Sequence, residues 1–135
     1  MASALFAKAK KAFLDGGIAM LTDTIKAVFV DSADYTLDLV NHQYLSDIPV
    51  AARVAISGAL TSKSTTGGVF DADDITVAAV SGDQFEQIHL FKDTGNVSTS
   101  PLIACVDTAA GLPCTPNGGD ITITWDNGAN KIFKL

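Results

Sequence analysis

The sequence predicts a mainly β fold, an antiparallel β-sandwich of jelly-roll type with a short N-terminal helix or arm. Fourteen of the fifteen acidic residues are Asp, which favours turns, and thirteen residues are Thr, whose branched side chain suits strands. After residue 17, turn signals recur about every ten residues, as they do in sandwiches and barrels. The 135 residues match the size of one domain, so we expect a helical arm over residues 1–17 and a single β-sandwich domain over residues 18–135.

The arm is predicted to be helical over residues 3–14. Leu5, Ala9 and Phe13 recur at helical spacing. Ser3 is the predicted N-cap, and a glycine pair that begins at Gly16 ends the helix. A helix this short is marginal alone in water, so it should dock on the domain or on a neighbouring subunit.

Seven strands are predicted after the arm, enough for two packed sheets. They span residues 24–31, 53–60, 75–80, 85–92, 102–107, 120–126 and 129–135. The segment 34–52 follows no clear period, and we expect a long connection there with a turn of helix near residues 45–48.

The strongest local turn signal joins the last two predicted strands. Asn127 and Gly128 both tolerate positive φ, which favours a two-residue hairpin turn. This hairpin would place Ile123 opposite Ile132 and turn Phe133 to the other face of the ribbon. Phe133 is then either covered by the N-terminal helix or a loop, or part of a subunit-contact patch.

The net charge of the chain limits the kinds of partner that it can bind. Nine Lys and Arg stand against fifteen Asp and Glu, a net charge of −6, which argues against a nucleic-acid partner. The lysines within residues 8–11 are usually just a solvated helix face, but they could also draw this segment toward an acidic neighbouring copy. The candidate subunit contacts are Leu5, Phe6, Lys8, Lys11 and Phe133.

Neither an export signal nor a membrane-spanning segment is predicted. Lysines follow the first apolar residues at once, and the most apolar later stretch, residues 18–30, contains Asp23 and Lys26. Cys105 and Cys114 lack the spacing of a zinc site. They are either separate reduced thiols or one disulfide that closes a short loop.

Few residues could carry catalysis, and we predict no enzyme and no cofactor. His89 lies in a predicted strand and is interpreted as structural, while His42 is interpreted first as a capping or packing residue. No serine stands in a nucleophile-elbow motif. Asp71, Asp73 and Asp74 open like a calcium-binding loop but lack its later Gly and Glu, so a solvated turn and a calcium site remain as alternatives.

Several segments are similar to those of a family of small virion proteins of tailed bacteriophages. The likeness covers nearly the whole chain, and its last segment, which contains the Trp-Asp-Asn-Gly sequence, is the most specific. Cys114 departs from the pattern, because an apolar residue is expected at that position. The main segments of likeness are residues 23–31, 44–49, 52–55, 68–74, 93–95, 100–104 and 115–128.

The resemblance implies a structural protein without catalysis, most plausibly a capsid decoration, or cement, subunit on the outside of the particle. It implies the major capsid protein or other virion proteins as partners, together with further copies of the chain. The expected location is the virion surface after synthesis in the host cytoplasm. The alternatives are a tail, neck or fibre-associated subunit, and a carbohydrate-binding adhesion module on the particle.

Overall fold

The computed structural model describes residues 3–107, 111–126, 128–129 and 131–135. Within them the chain is mainly β, with one short helix and antiparallel strand pairing, so the predicted mainly β class is confirmed. Three single 3₁₀ turns interrupt the connections, including one at Leu45–Asp47, where a turn of helix was predicted. The elements are β1 (Ser3–Leu5), α1 (Ala7–Asp15), β2 (Ile25–Val30), β3 (Arg53–Ile56), β4 (Val69–Phe70), β5 (Ile75–Val77), β6 (Gln87–Lys92), β7 (Leu102–Val106), β8 (Ile121–Ile123) and β9 (Phe133–Lys134).

The main sheet has five antiparallel strands in the order β1-β7-β6-β2-β3. Every residue of β7 is buried, as are four consecutive residues of β6 and the last four of β2. Strands buried on both faces read as largely apolar runs: β7 is apolar throughout, whereas Lys26 interrupts β2 and His89 interrupts β6. All three lie within the predicted strands 24–31, 85–92 and 102–107. Phe29 of β2 stacks on Phe85 at a ring-centroid distance of 4.4 Å on the covered side of this sheet.

Two separate two-stranded ribbons, β4–β9 and β5–β8, accompany the main sheet. The predicted terminal hairpin is therefore wrong: Ile123 pairs with Ile75, and Phe133 pairs with Phe70. The turn signal at residues 127–128 is local, whereas both observed pairings bury apolar side chains contributed by distant segments. Asn127 itself lies outside the described residues.

The N-terminal segment is part of the domain and not a detached arm. Ser3–Leu5 pair with β7, and the Phe6 N–H donates to the Ile103 carbonyl at 3.1 Å. The helix therefore begins at Ala7, and the predicted Ser3 N-cap is wrong because that residue lies in a strand. Gly16 ends the helix in the left-handed conformation at φ 78°, as the sequence predicts.

No helix in the described part of the chain is long and apolar enough to cross a bilayer. The single α-helix has nine residues and packs Ala9 into the core. Its Phe13 ring stacks on Phe133 at 6.4 Å, and Phe133 stacks in turn on Phe70 at 5.3 Å. This aromatic row joins the helix to the β4–β9 ribbon and forms the base of an open surface groove beside the helix.

Candidate interaction surface

An open apolar groove lies between α1, the segment that follows it and the C-terminal strand. Its volume is about 380 Å³. Phe70 and Phe133 supply its floor, and Leu21, 53% exposed, stands at its edge. The other apolar residues along it are Phe13, Ile18, Ala19, Met20 and Leu135.

A second groove of about 390 Å³ continues the first along the helix, and both are lined by Phe13 and Leu135. Leu5 and Leu14 complete its apolar lining. Leu14 is 89% exposed and Leu135 is 65% exposed. We call the two together the helix groove. This exposed, contiguous apolar surface is the candidate interaction surface of the described structure.

The helix groove is positively charged in an acidic protein. Lys10 and Lys134 line it, and no Asp or Glu side chain does. Neither lysine forms an ion pair with a carboxylate of the described residues. Lys11 is different, because it pairs with Asp15 one turn along the helix. The groove therefore combines apolar area with two lysines that form no ion pair within the described ranges.

The structure separates the five candidate subunit contacts. Leu5 lines the helix groove, and Lys8 and Lys11 are exposed on α1. Phe6 is fully buried against His89, with ring centroids 5.6 Å apart, so it belongs to the core and not to the surface of this chain. Phe133 is 5% exposed beneath Phe13, which confirms that the N-terminal helix covers it.

Sequence reasoning missed most of the groove. Lys10, Leu14 and Lys134 were not among the candidates, although Leu14 stands off the apolar stripe of the helix and that position predicts exposure. Leu21 and Leu135 gave no comparable signal, since their exposure depends on how the flanking segments pack.

An acidic cluster lies at the C-terminal end of β2, away from the helix groove. One carboxylate oxygen from each of Asp31, Asp34 and Asp83 lies within 4.8 Å of the others. Asp31 is buried while Asp34 and Asp83 are exposed. Glu86 stands beside them and accepts hydrogen bonds from the Ser32 N–H and hydroxyl, both at 2.9 Å. Three carboxylates this close together could hold a cation. No lysine or arginine in the described ranges forms an ion pair with them.

Two of the acidic residues predicted as a turn or a calcium loop form hydrogen bonds that hold Trp125. Asp71, Asp73 and Asp74 do not form a three-carboxylate group within the described part of the chain. The Asp74 carboxylate accepts the Trp125 backbone N–H at 2.9 Å, and the Asp73 carbonyl accepts the Trp125 indole N–H at 3.0 Å. These bonds attach the segment after β8 to the segment before β5.

The two histidines belong to one polar cluster inside the fold. His89 is completely buried in β6, where its Nε2 bonds the Gln87 side-chain oxygen at 2.9 Å and its Nδ1 has no partner among the described residues. The Tyr35 hydroxyl bonds His42 Nδ1 at 2.7 Å, and the Tyr35 ring meets the His89 ring edge-on. Burial lowers the pKa of His89 to about 3, with a smaller contribution from His42. Neither imidazole hydrogen-bonds a serine or cysteine nucleophile in the described structure.

The cysteines are two separate thiols. Cys105 is buried in β7, and burial raises its thiol pKa to about 12, with a smaller contribution from Asp107. Cys114 is half-buried and pairs with Phe85 through two backbone hydrogen bonds of 3.0 Å. A buried thiol that does not ionise at neutral pH is a packing group and not a nucleophile.

Comparison with known proteins leaves the family open. No protein-family model matches the sequence, and no curated protein matches it.

Proposed function

We propose that the chain is a non-enzymatic structural subunit of a tailed-phage virion, a capsid decoration protein that stabilises the assembled head. The observation that carries the proposal is the helix groove, where Leu14 and Leu135 leave an apolar surface open to a protein partner. The sequence resemblance supplies the biological setting. The partners are the major capsid protein or other virion proteins together with further copies of the chain, on the outside of the particle.

Such a subunit acts through binding linkage. A protein that binds the assembled lattice, and not the free capsid subunits, stabilises the lattice by mass action. Rigidity helps, because a partner that is already ordered loses less conformational entropy on binding. The five-stranded sheet with its completely buried β7 strand supplies that rigidity here.

Two other particle functions are kept as candidates. A tail, neck or fibre-associated subunit would use the same groove but would be present in far fewer copies. A carbohydrate-binding module is less well supported, because such modules usually present aromatic side chains on an exposed face. Trp125 is 3% exposed, with its indole N–H bonded to the Asp73 carbonyl.

Gold-labelled antibodies against the chain, imaged on intact particles of the phage that carries its gene, test the proposal. We expect label distributed over the head. Label confined to the tail would contradict decoration in favour of the tail alternative, and unlabelled particles would refute virion membership.

A matched pair of variants tests the groove in the same particles. Leu14→Glu places a charge in the helix groove, whereas Val40→Glu places one at another exposed apolar position that does not line it. Leu14→Glu should reduce the amount of subunit on purified particles, and Val40→Glu should not. Equal incorporation of both variants would contradict the role given to the groove.

A further inference from the structure

The charge of the helix groove restricts what can dock in it. Lys10 and Lys134 lie along the apolar lining and form no ion pair with the carboxylates that the structure describes. If two copies met groove to groove, these lysines would face the same lysines of the other copy and repel them. Apart from these two lysines, the chain has seven cations against fifteen acids, so most of its remaining surface is attractive to the groove.

The acidic cluster offers a complementary surface. Asp34 and Asp83 are exposed like charges held close together, and neither forms an ion pair within the described structure. The 3₁₀ turn Val50–Ala52 is joined to the same end of β2, because the Asp31 N–H bonds the Ala52 carbonyl at 2.9 Å. Val50 is 77% exposed. The cluster is thus an acidic and partly apolar counterpart to the basic and apolar groove.

The two surfaces lie at opposite ends of β2. At its first end, Lys92 binds both the Gly17 carbonyl after α1 and the Asp23 carboxylate, beside the groove. Asp31 follows its last residue, Val30. Six strand residues span about 20 Å. One copy can therefore use both surfaces at once.

We propose that the helix groove of one copy binds the acidic cluster of a second copy, head to tail. Lys10 and Lys134 then face Asp34 and Asp83, while the exposed Leu14 and Leu135 pack near Val50. The contact is heterologous, so repeated use closes a ring or extends a chain of subunits. This inference rests on the proposed function only in treating the groove as a subunit contact.

Sedimentation velocity with complementary variants tests the contact. The double variant K10E/K134E removes the basic partner, and D34N/D83N removes the acidic partner. Each should be monomeric alone, while wild type associates at about 50 mM salt and more weakly at about 500 mM. Mixed in equal amounts, the two variants should form a 1:1 complex that grows no further, since the K10E/K134E copy keeps its acidic cluster and the D34N/D83N copy keeps its groove. The acidic groove of the first variant finds no basic surface on the neutralised cluster of the second.

Single variants supply the control. Lys8 lies on the same helix as Lys10 but does not line the groove. Lys10→Glu should weaken association more than about tenfold, and Lys8→Glu should leave it nearly unchanged. Circular dichroism of every variant should match wild type, because all the substituted side chains are exposed.

Several results would overturn the contact. They are a monomeric wild type at low salt, a variant mixture that stays monomeric, and equal effects of the Lys8 and Lys10 substitutions. Failure here is separable from failure of the proposed function. Labelled heads with a monomeric wild type would remove only this contact, and a 1:1 variant complex with unlabelled particles would remove only the virion assignment.

Discussion

Acid should destabilise this protein through His89, well above the pH at which its carboxylates protonate. The imidazole is buried in the central strand β6 between the Phe6 and Tyr35 rings, and its Nδ1 has no partner in the described structure. Burial lowers its folded-state pKa from 6.5 to about 3. Between those values the unfolded chain binds a proton that the folded chain does not. Stability is therefore fully present above pH 6.5 and is lost as the pH falls toward 3.

The size of the loss follows from the two pKa values. Each pKa unit is worth about 1.4 kcal/mol, so the full window amounts to about 5 kcal/mol. By pH 4.5 the loss should already be about 2–3 kcal/mol. Stopping there also limits the contribution of Asp23 and Asp93, whose lowered pKa values affect stability only below about 3.8.

Urea unfolding of wild type and His89→Leu at about pH 7.5, 6.5, 5.5 and 4.5 measures how the free energy of unfolding depends on pH. The wild type should lose free energy of unfolding at the lower pH values, and the leucine variant should lose much less. His42→Gln is the control: it keeps His89 and its burial and removes only the smaller contribution of His42, so it should retain most of the pH dependence of wild type. A flat wild-type profile, or equal slopes for wild type and His89→Leu, would refute the assignment.

Three further predictions concern packing and reactivity. Asp74→Ala should lower the free energy of unfolding by about 1–3 kcal/mol, because the backbone N–H of Trp125 loses its acceptor, and Asp74→Asn should recover part of this loss. An alanine variant as stable as wild type in urea would argue against this hydrogen bond. Phe133→Ala should cost about 3–5 kcal/mol in the same assay, and a loss below about 1 kcal/mol would show that the helix does not cover this ring. In native protein an aromatic disulfide reagent should modify Cys114 but reach Cys105 only after denaturation, so rapid reaction of both thiols would contradict the buried position of Cys105.

The sequence predicted elements whose pattern is local. The strands β2, β6 and β7 were found because each is a short, mostly apolar segment between turn signals, and the helix end was found because Gly16 supplies a left-handed cap. The strand Ser3–Leu5 was assigned to the helix because three residues fit either period. Only its pairing with β7, about a hundred residues away, decides the matter.

The pairing of strands in the two ribbons was predicted wrongly for the same reason. The turn signal at residues 127–128 favours a hairpin, but β8 and β9 find their partners in β5 and β4. Those pairings place Phe133 beside Phe70 and close the aromatic row onto the helix. No property of the last strand alone selects that partner.

The candidate site was predicted only in part for a related reason. Leu5 and the lysine-bearing helix border the helix groove, which is also lined by the distant residues Phe70, Leu21 and Leu135. A helical wheel indicates that Leu14 is exposed. It cannot indicate that other apolar side chains surround it, because that depends on tertiary packing.

The number of copies per particle tests the central claim most directly. Quantitative mass spectrometry of purified virions, with the chain measured against the major capsid protein, gives that number without a label or a variant. A decoration subunit that repeats with the shell lattice should be present on the order of hundreds of copies per particle. Absence of the chain from purified virions would contradict the claim that it is a structural part of the particle.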